Sequence, residues 1–257
     1  MKSYKAYLID LDGTLYQGDK GIQTAIEFIQ ELLTLNIPFK FVTNNATRTT
    51  AELLEWIKQS FNLSITDQHV YTSTMALLDY VNQHYQDKEV YVIGESALLT
   101  QIKQTQLKLV NHDQANLVIQ GLDRQVNYDS LSIAVRAILN GADFLVTNAD
   151  RLIPFSGGMN PSSGAITSFI QFATGKEALV FGKPNAPIIK GALASLNVSP
   201  EDVLLIGDNY ETDILAGINQ EIDTLLVLTG VTQRIDLENI EKQPTYIIED
   251  LSHWSHQ

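Results

Sequence analysis

Apolar and polar positions alternate along this chain with two different periods. Short runs rich in β-branched and aromatic residues, bounded by turn residues, predict buried strands. Longer segments with an apolar residue every three or four positions predict amphipathic helices. The predicted strands are residues 6–9, 38–43, 70–72, 89–93, 117–120, 144–147, 178–181, 203–206 and 224–228. The predicted helices are residues 24–35, a segment beginning near 49, 74–84, 128–140, 163–174, 187–196 and 212–219. This alternation predicts an α/β fold with a largely parallel sheet.

Local sequence signals mark where several of the helices begin and end. Two Thr-x-x-Glu sequences, beginning at Thr24 and Thr49, predict capping boxes that open helices. Gly141 and Gly175 stand where C-terminal helix caps are expected.

Polar residues follow four of the predicted strands, and they share one kind of chemistry. The carboxyl ends of parallel strands are where such sheets bind ligands. Because these four strand ends are far apart in sequence, a single sheet is needed to bring them together. The polar groups are Asp10 with Asp12, Thr43-Asn44, Lys183-Pro184, and Asp208 followed by Thr212-Asp213.

The intervening segment has strands whose ends carry no comparable acids. It therefore reads as an inserted second domain of residues 75–177, within a discontinuous domain of residues 1–74 and 178–257.

The two carboxylates nearest the N-terminus give the first indication of function. Side chains two residues apart point the same way from a strand, so Asp10 and Asp12 would project together. Adjacent carboxylates repel each other unless a cation or a shared proton relieves them. The pair therefore suggests a hard-metal site with a nucleophile and a general acid/base. On these residues alone, the alternative interpretation of a solvated strand-to-turn junction remains, because Asp and Gly are common in turns.

Composition narrows the range of partners. The net charge of -13 disfavours nucleic acid or an anionic membrane as a partner. An anionic small substrate stays compatible with this net charge, because a bound cation and a lysine reverse the local field.

The chain has no cysteine, which excludes disulfides and thiol catalysis. No apolar run approaches the ~20 residues of a membrane span, and the first strand begins too early for a secretory signal. We expect a cytoplasmic enzyme, with a homodimer left open.

Taken together, the four ordered motifs resemble those of the haloacid dehalogenase (HAD) superfamily of phosphatases. They are Asp10-Leu-Asp-Gly-Thr, Thr43-Asn44, Lys183-Pro184 and Gly207-Asp208 with Thr212-Asp213. The long insertion after the second motif is similar to that of the NagD-like, para-nitrophenylphosphatase-like branch. The resemblance covers essentially the whole chain. It implies a Rossmann-like parallel-sheet core with an inserted α/β cap domain that selects the substrate.

The resemblance also implies roles for the acidic residues. Asp10 would attack phosphorus and form an aspartyl-phosphate, and Asp12 would protonate the leaving oxygen and then activate water. Mg²⁺ would be bound by the carboxylates of Asp10 and Asp208 and by the main-chain carbonyl of Asp12. Asp213 would bind the metal through water or orient Lys183. On sequence alone, a role in complementing the helix dipole stays open.

The remaining motif residues would act on the substrate, a small phosphorylated metabolite such as a nucleotide or sugar phosphate. Thr43 and Asn44 would bind the transferring phosphoryl oxygens. Lys183 would neutralise charge on the phosphoryl group and on the nucleophile. Asn45 is a weaker prediction for substrate contact, based on its neighbouring position.

Two alternatives compete with a phosphatase. A phosphomutase or other phosphoryl transferase shares the aspartyl-phosphate, but its relatives usually carry a small helical cap after the first motif. A catalytically silent phosphate-sensing module would not need every catalytic position to be filled, as it is here. The sequence therefore favours hydrolysis.

Overall fold

The computed structural model describes residues 2–155 and 158–256. The strands in these residues are β1 (Ala6–Ile9), β2 (Tyr16–Gln17), β3 (Lys20–Gly21), β4 (Phe39–Thr43), β5 (Val70–Thr72), β6 (Glu89–Ile93), β7 (Lys108–Leu109), β8 (Leu117–Gln120), β9 (Asp143–Val146), β10 (Leu152–Phe155), β11 (Gly158–Pro161), β12 (Leu179–Val180), β13 (Val203–Gly207), β14 (Asp223–Val227) and β15 (Tyr246–Ile248).

The helices are α1 (Gln23–Leu35), α2 (Thr50–Phe61), α3 (Ser73–His84), α4 (Ser96–Ile102), α5 (Tyr128–Leu139), α6 (Ser163–Thr174), α7 (Ala186–Leu196) and α8 (Leu215–Asn219). A π-helical turn, Tyr210–Ile214, precedes α8. Among the described helices, none combines the length and the apolar character that a membrane span requires.

The described residues divide into two compact units. The first unit consists of the described residues up to Thr43, Thr50–Thr72, and the described residues from Lys183 onward. The second consists of Asn44–Thr49 and the described residues of Ser73–Gly182. The insertion predicted at 75–177 falls within the longer segment of the second unit.

The described strands of the first unit include a parallel sheet in the order β15-β14-β13-β1-β4-β5. The chain runs from β1 to β4 and β5 on one side, and later from β13 to β14 and β15 on the other. The strand order therefore reverses between β1 and β13, where Ile9 lies beside Ile206. Open α/β sheets bind ligands at such a reversal, outside the carboxyl ends of the strands.

Burial explains why β1 and β13 read as continuous apolar runs. All four residues of β1 and all five of β13 are buried. A parallel strand covered on both faces has no solvent face, so period-2 alternation disappears. Tyr7, for example, packs edge-on against Phe28 of α1, with ring centroids 5.3 Å apart.

The second unit has its own parallel sheet. The order of its described strands is β12-β9-β8-β6-β7, and an antiparallel hairpin pairs β10 with β11. Helices α5 and α6 pack on apolar residues of this sheet, among them Val118 and Phe144. The α/β prediction with parallel sheets is confirmed.

Of the predictions for helix ends, one is wrong and another is confirmed. The capping box at Thr24 is wrong, because α1 begins at Gln23 with Ile22 as its N-cap. The Ile22 carbonyl accepts hydrogen bonds from the N–H groups of Ala25 and Ile26, so the helix starts before Thr24 can cap it. Gly175 is confirmed as a left-handed C-cap of α6, with φ of 65°.

The helix predicted at 212–219 is also corrected. The π-helical turn Tyr210–Ile214 comes first and continues directly into the short α8.

Candidate active site

Lys183 lies at the centre of a buried polar cluster in the first unit. Its Nζ donates to Asp10 Oδ1 at 2.5 Å, to Asp213 Oδ1 at 2.6 Å and to the Val42 carbonyl at 2.7 Å. The lysine side chain is 2% exposed. An ammonium has three N–H donors, and here each of them has an acceptor.

Three carboxylates converge at this point. Asp10, Asp208 and Asp213 are all buried, and one oxygen from each lies within 4.8 Å of the others. Asp10 follows β1 and Asp208 follows β13, so two of them stand where the strand order reverses. One ammonium cannot neutralise three carboxylates. Buried oxygen ligands with excess negative charge suit a hard divalent cation.

Burial dominates the electrostatics of the cluster. It raises the pKa of Asp10 well above its usual range, and the Asp213 and Asp208 charges act in the same direction against Lys183. Burial and the charge of Asp213 raise the pKa of Asp208 to about 7. Burial alone would lower the pKa of Lys183, but Asp10 and Asp213 outweigh it and the pKa is raised. Asp10 and Asp213 therefore favour the charged form of Lys183.

A loop after β14 holds Asp208 in place. The Val231 N–H donates to Asp208 Oδ2 at 2.7 Å, and the Thr232 N–H donates to the Asp208 carbonyl at 3.0 Å. Thr14 Oγ1 lies 3.4 Å from Asp208 Oδ1. Sequence reasoning missed this loop, because no motif in it marks a contact with Asp208.

Two glycines make room for the Asp208 carboxylate. Gly13 has φ of 89°, a conformation that favours glycine. A Cβ at either Gly13 or Gly230 would overlap the Asp208 carboxylate. Any larger residue at these positions would push the carboxylate aside.

Asp213 is held in the π-helical turn. Its Oδ2 accepts a hydrogen bond from the Asn209 N–H at 3.0 Å, while Oδ1 accepts from Lys183. Of the two predicted roles for Asp213, this ion pair supports orientation of Lys183.

Asp12 lies outside the group of three carboxylates. Its side chain is exposed, and Oδ2 accepts a hydrogen bond from the Tyr16 hydroxyl at 3.1 Å. Sequence reasoning did not select Tyr16. The signal that could have found it is a tyrosine four residues after Asp12, returned to it by a glycine turn.

The predicted phosphate-binding residues divide between the two units. Thr43 ends β4 and is buried in the first unit. Asn44 belongs to the second unit, where its Nδ2 donates to Asp150 Oδ1 at 2.9 Å. The Asn44 carbonyl accepts from Asn148 Nδ2 at 2.9 Å and from Ser73 Oγ at 3.1 Å. Residues at the end of β9 and the start of α3 thus fix the conformation of Asn44.

Asn45 makes a local turn. Its Oδ1 accepts hydrogen bonds from the N–H of Thr47 at 3.0 Å and from the Thr47 hydroxyl at 2.6 Å. This is the geometry of a side chain that stabilises its own loop. A role in substrate contact stays a prediction.

Comparison with protein families shows where the known sequence patterns lie. A family model described as haloacid dehalogenase-like hydrolase matches residues 7–108. A second model, described as HAD-hydrolase-like, matches residues 180–254. The two matches include Asp10, Lys183, Asp208 and Asp213.

Similar proteins span almost the full chain. The 5'-nucleotidase YutF of Bacillus subtilis is 40% identical over 254 residues, which are 99% of this chain and 98% of that protein. An acid sugar phosphatase of Staphylococcus epidermidis is 40% identical over 252 residues, covering 98% of this chain and 97% of its own. The structure of NagD from E. coli K-12 has a TM-score of 0.90 at 29% identity and covers 100% of both chains. The resemblance to the NagD-like branch is confirmed.

Proposed function

Because this chain belongs to the haloacid dehalogenase-like hydrolases and is a phosphoric monoester hydrolase, we propose that it acts through an aspartyl-phosphate on Asp10. One observation carries the proposal. Lys183 bridges Asp10 and Asp213 beside Asp208, at the reversal point of a parallel sheet. A nucleophile needs this combination of orientation and charge neutralisation for phosphoryl transfer.

In the first step an Asp10 oxygen attacks phosphorus, and the bond from phosphorus to the leaving oxygen breaks. Asp12, in its protonated form, gives its proton to that oxygen, so that an alcohol leaves rather than an alkoxide. Lys183 holds the Asp10 carboxylate in one orientation through the 2.5 Å contact. Its charge opposes the repulsion between a carboxylate and an anionic phosphoryl group.

In the second step water attacks the aspartyl-phosphate. Asp12 is now a carboxylate and takes a proton from that water, while the bond between phosphorus and Asp10 breaks. Inorganic phosphate is released and both carboxyl groups return to their starting states. One residue thus serves as acid and then as base.

The metal is assigned to the same cluster. We assign Mg²⁺ to the carboxylates of Asp10 and Asp208 and to the main-chain carbonyl of Asp12. When bound there, it would supply charge neutralisation for the phosphoryl oxygens. The excess negative charge of three buried carboxylates over one ammonium supports this assignment.

The relatives and the organisation of the chain support a proposal for the substrate class. Relatives named as a 5'-nucleotidase and an acid sugar phosphatase support nucleotide or sugar monophosphates as substrates. We assign the binding of the phosphoryl oxygens to Thr43 and Asn44. The insertion at 75–177 is assigned as a cap that selects the leaving group. We assign the reaction to the cytoplasm.

The test is phosphate release from a panel of nucleotide, sugar and aryl monophosphates. We expect turnover with Mg²⁺, loss of activity in EDTA, and recovery when Mg²⁺ is restored. Ca²⁺ should support little activity, because this larger ion accepts both oxygens of a carboxylate and would hold Asp10 out of line. Full activity in EDTA would contradict the metal assignment. Transfer to an acceptor without release of inorganic phosphate would indicate a phosphoryl transferase instead.

A further inference from the structure

A hydrogen bond joins Tyr16 to the residue proposed as the acid/base. The Tyr16 hydroxyl donates to Asp12 Oδ2 at 3.1 Å. The two residues stand at either end of a tight turn. The Gly13 N–H donates to the Tyr16 carbonyl at 2.7 Å, and the Tyr16 N–H donates to the Leu11 carbonyl at 3.2 Å. These backbone hydrogen bonds therefore fix the main chain of Tyr16 relative to that of Asp12.

Aromatic packing fixes the orientation of the Tyr16 ring. Tyr16 is 3% exposed and lies edge-on to Trp56, with ring centroids 4.6 Å apart. It is stacked on Phe61, with centroids 5.8 Å apart. Both partners belong to α2. Such pairs hold a ring in one orientation, so the Tyr16 hydroxyl is a donor at a fixed point.

The Asp12 carboxyl that accepts this bond is not buried as the Tyr16 ring is. Asp12 is exposed, and an exposed aspartate samples several side-chain rotamers. Proton transfer needs the carboxyl within hydrogen-bond reach of the leaving oxygen, and orientation of this kind has a large effect on rate. A fixed donor on Oδ2 favours the side-chain rotamers of Asp12 that keep this hydrogen bond.

We propose that Tyr16 is a positioning residue for the acid/base chemistry of Asp12. The proposal rests on the proposed function. Tyr16 keeps its own proton throughout, and the transferred proton moves between Asp12 and either the leaving oxygen or the attacking water. The tyrosine acts by restricting the carboxyl to a conformation in which that transfer is short.

The test compares two tyrosine-to-phenylalanine variants. Tyr16→Phe removes the hydroxyl and keeps the ring that packs on Trp56 and Phe61. Tyr4→Phe is the matched control, because Tyr4 is 1% exposed and its hydroxyl donates to Asp223 Oδ2 at 2.9 Å. Each variant loses a bond from a buried tyrosine to an aspartate, and Tyr4→Phe also loses the 3.2 Å contact with the Tyr246 hydroxyl. Thermal unfolding curves of both variants are measured first, and the assays are run at a temperature at which both variants are folded.

Kinetics with two leaving groups give the readout. For an alkyl phosphomonoester, Tyr16→Phe should lower kcat about tenfold with KM changed less than about twofold. For para-nitrophenyl phosphate, whose leaving group is stable as an anion, the phosphorylation step should be nearly unchanged. Phosphoenzyme should then accumulate, measured after rapid quench, because the water lacks a well-placed base. Tyr4→Phe should match the wild type in all three measurements.

A double-variant cycle separates positioning from structural support. If Tyr16 acts through Asp12, Tyr16→Phe should cause no further loss in an Asp12→Ala background. Equal losses with both substrates, a change confined to KM, additive losses in the double variant, or an unchanged or raised kcat would each overturn the proposal. Failure of the proposed function looks different, because the wild type would then release no phosphate.

Discussion

At the scale of single residues, Lys183 is bonded to two buried carboxylates at once. It lies 2.5 Å from Asp10 and 2.6 Å from Asp213, and both aspartates are buried. Removing one partner from a buried ionic group is costly because the remaining charge stays out of water without compensation. The lysine therefore stabilises the fold as well as orienting Asp10, the proposed nucleophile.

Lys183→Met keeps the length of the side chain and removes the ammonium. We expect a loss of about 3 kcal/mol in the free energy of unfolding without metal. Phosphatase activity should fall about a hundredfold or more, because Asp10 loses its orientation and its neutralising charge. Urea denaturation and steady-state kinetics measure the two effects. The control is Lys190→Met, an exposed lysine on α7, which should change neither. Wild-type stability in Lys183→Met would contradict the ion-pair network.

Residues at strand ends were accessible to sequence reasoning, and contacts across turns were not. Asp10 and Asp208 directly follow apolar runs, so a parallel sheet was enough to bring them to one edge. The Tyr16–Asp12 contact depends on the φ of Gly13, and the Asn44–Asp150 contact joins residues 106 positions apart. Neither contact produces a periodic pattern of apolar and polar residues in the sequence.

At the scale of elements, the turn that follows β1 must accommodate the residue that follows β13. Gly13 in that turn and Gly230 after β14 both border the Asp208 carboxylate without a Cβ. The same turn places Asp12 beside Tyr16. Its geometry thus affects the proposed metal ligands and the proposed acid/base together.

A pair of glycine variants tests this. Gly13 and Gly18 both have positive φ, 89° and 61°, so alanine is strained at either by about 1 kcal/mol. A Cβ at Gly13 would overlap Asp208, whereas a Cβ at Gly18 meets nothing within 4 Å. We expect Gly18→Ala to lose a little stability and keep its activity. Gly13→Ala should lose more stability and require more Mg²⁺ for half-maximal activity. Identical behaviour of the two variants would contradict the packing around Asp208.

Several of the elements missed by sequence reasoning are very short or mostly exposed. Strands β2 and β3 have two residues each, and β10 and β11 carry prolines and mostly exposed side chains. A period of two needs more residues than this, and a solvated hairpin has no apolar face. Strands β1, β5, β6 and β8, which are mostly buried, have the predicted limits.

At the scale of the whole molecule, each compact unit has its own parallel sheet. The first-unit sheet contains strands from both sides of the insertion, and it is continuous without any strand of the second unit. The second unit also contains Asn44–Thr49, whose first residue is predicted to bind the phosphoryl oxygens. We therefore expect the insertion to affect substrate choice more than the chemistry at Asp10.

A variant that joins residue 74 to residue 178 through a short Gly/Ser linker tests this division. Circular dichroism and a cooperative unfolding transition establish that it is folded. It should bind Mg²⁺ and hydrolyse para-nitrophenyl phosphate slowly, but it should lose the ranking of natural phosphomonoesters, because remote binding energy has been removed. A folded variant with the full-length ranking would place specificity in the first unit.

The central claim is that the phosphoryl group passes through Asp10. Rapid quench during turnover, followed by mass spectrometry of the digested protein, detects that intermediate. The account predicts a labile phosphate on Asp10 in the wild type and in Asp19→Asn, an exposed control. It predicts no phosphate and no turnover in Asp10→Asn, because an amide is not a nucleophile for phosphorus. Sustained turnover by Asp10→Asn, or a phosphate found on another residue, would contradict it.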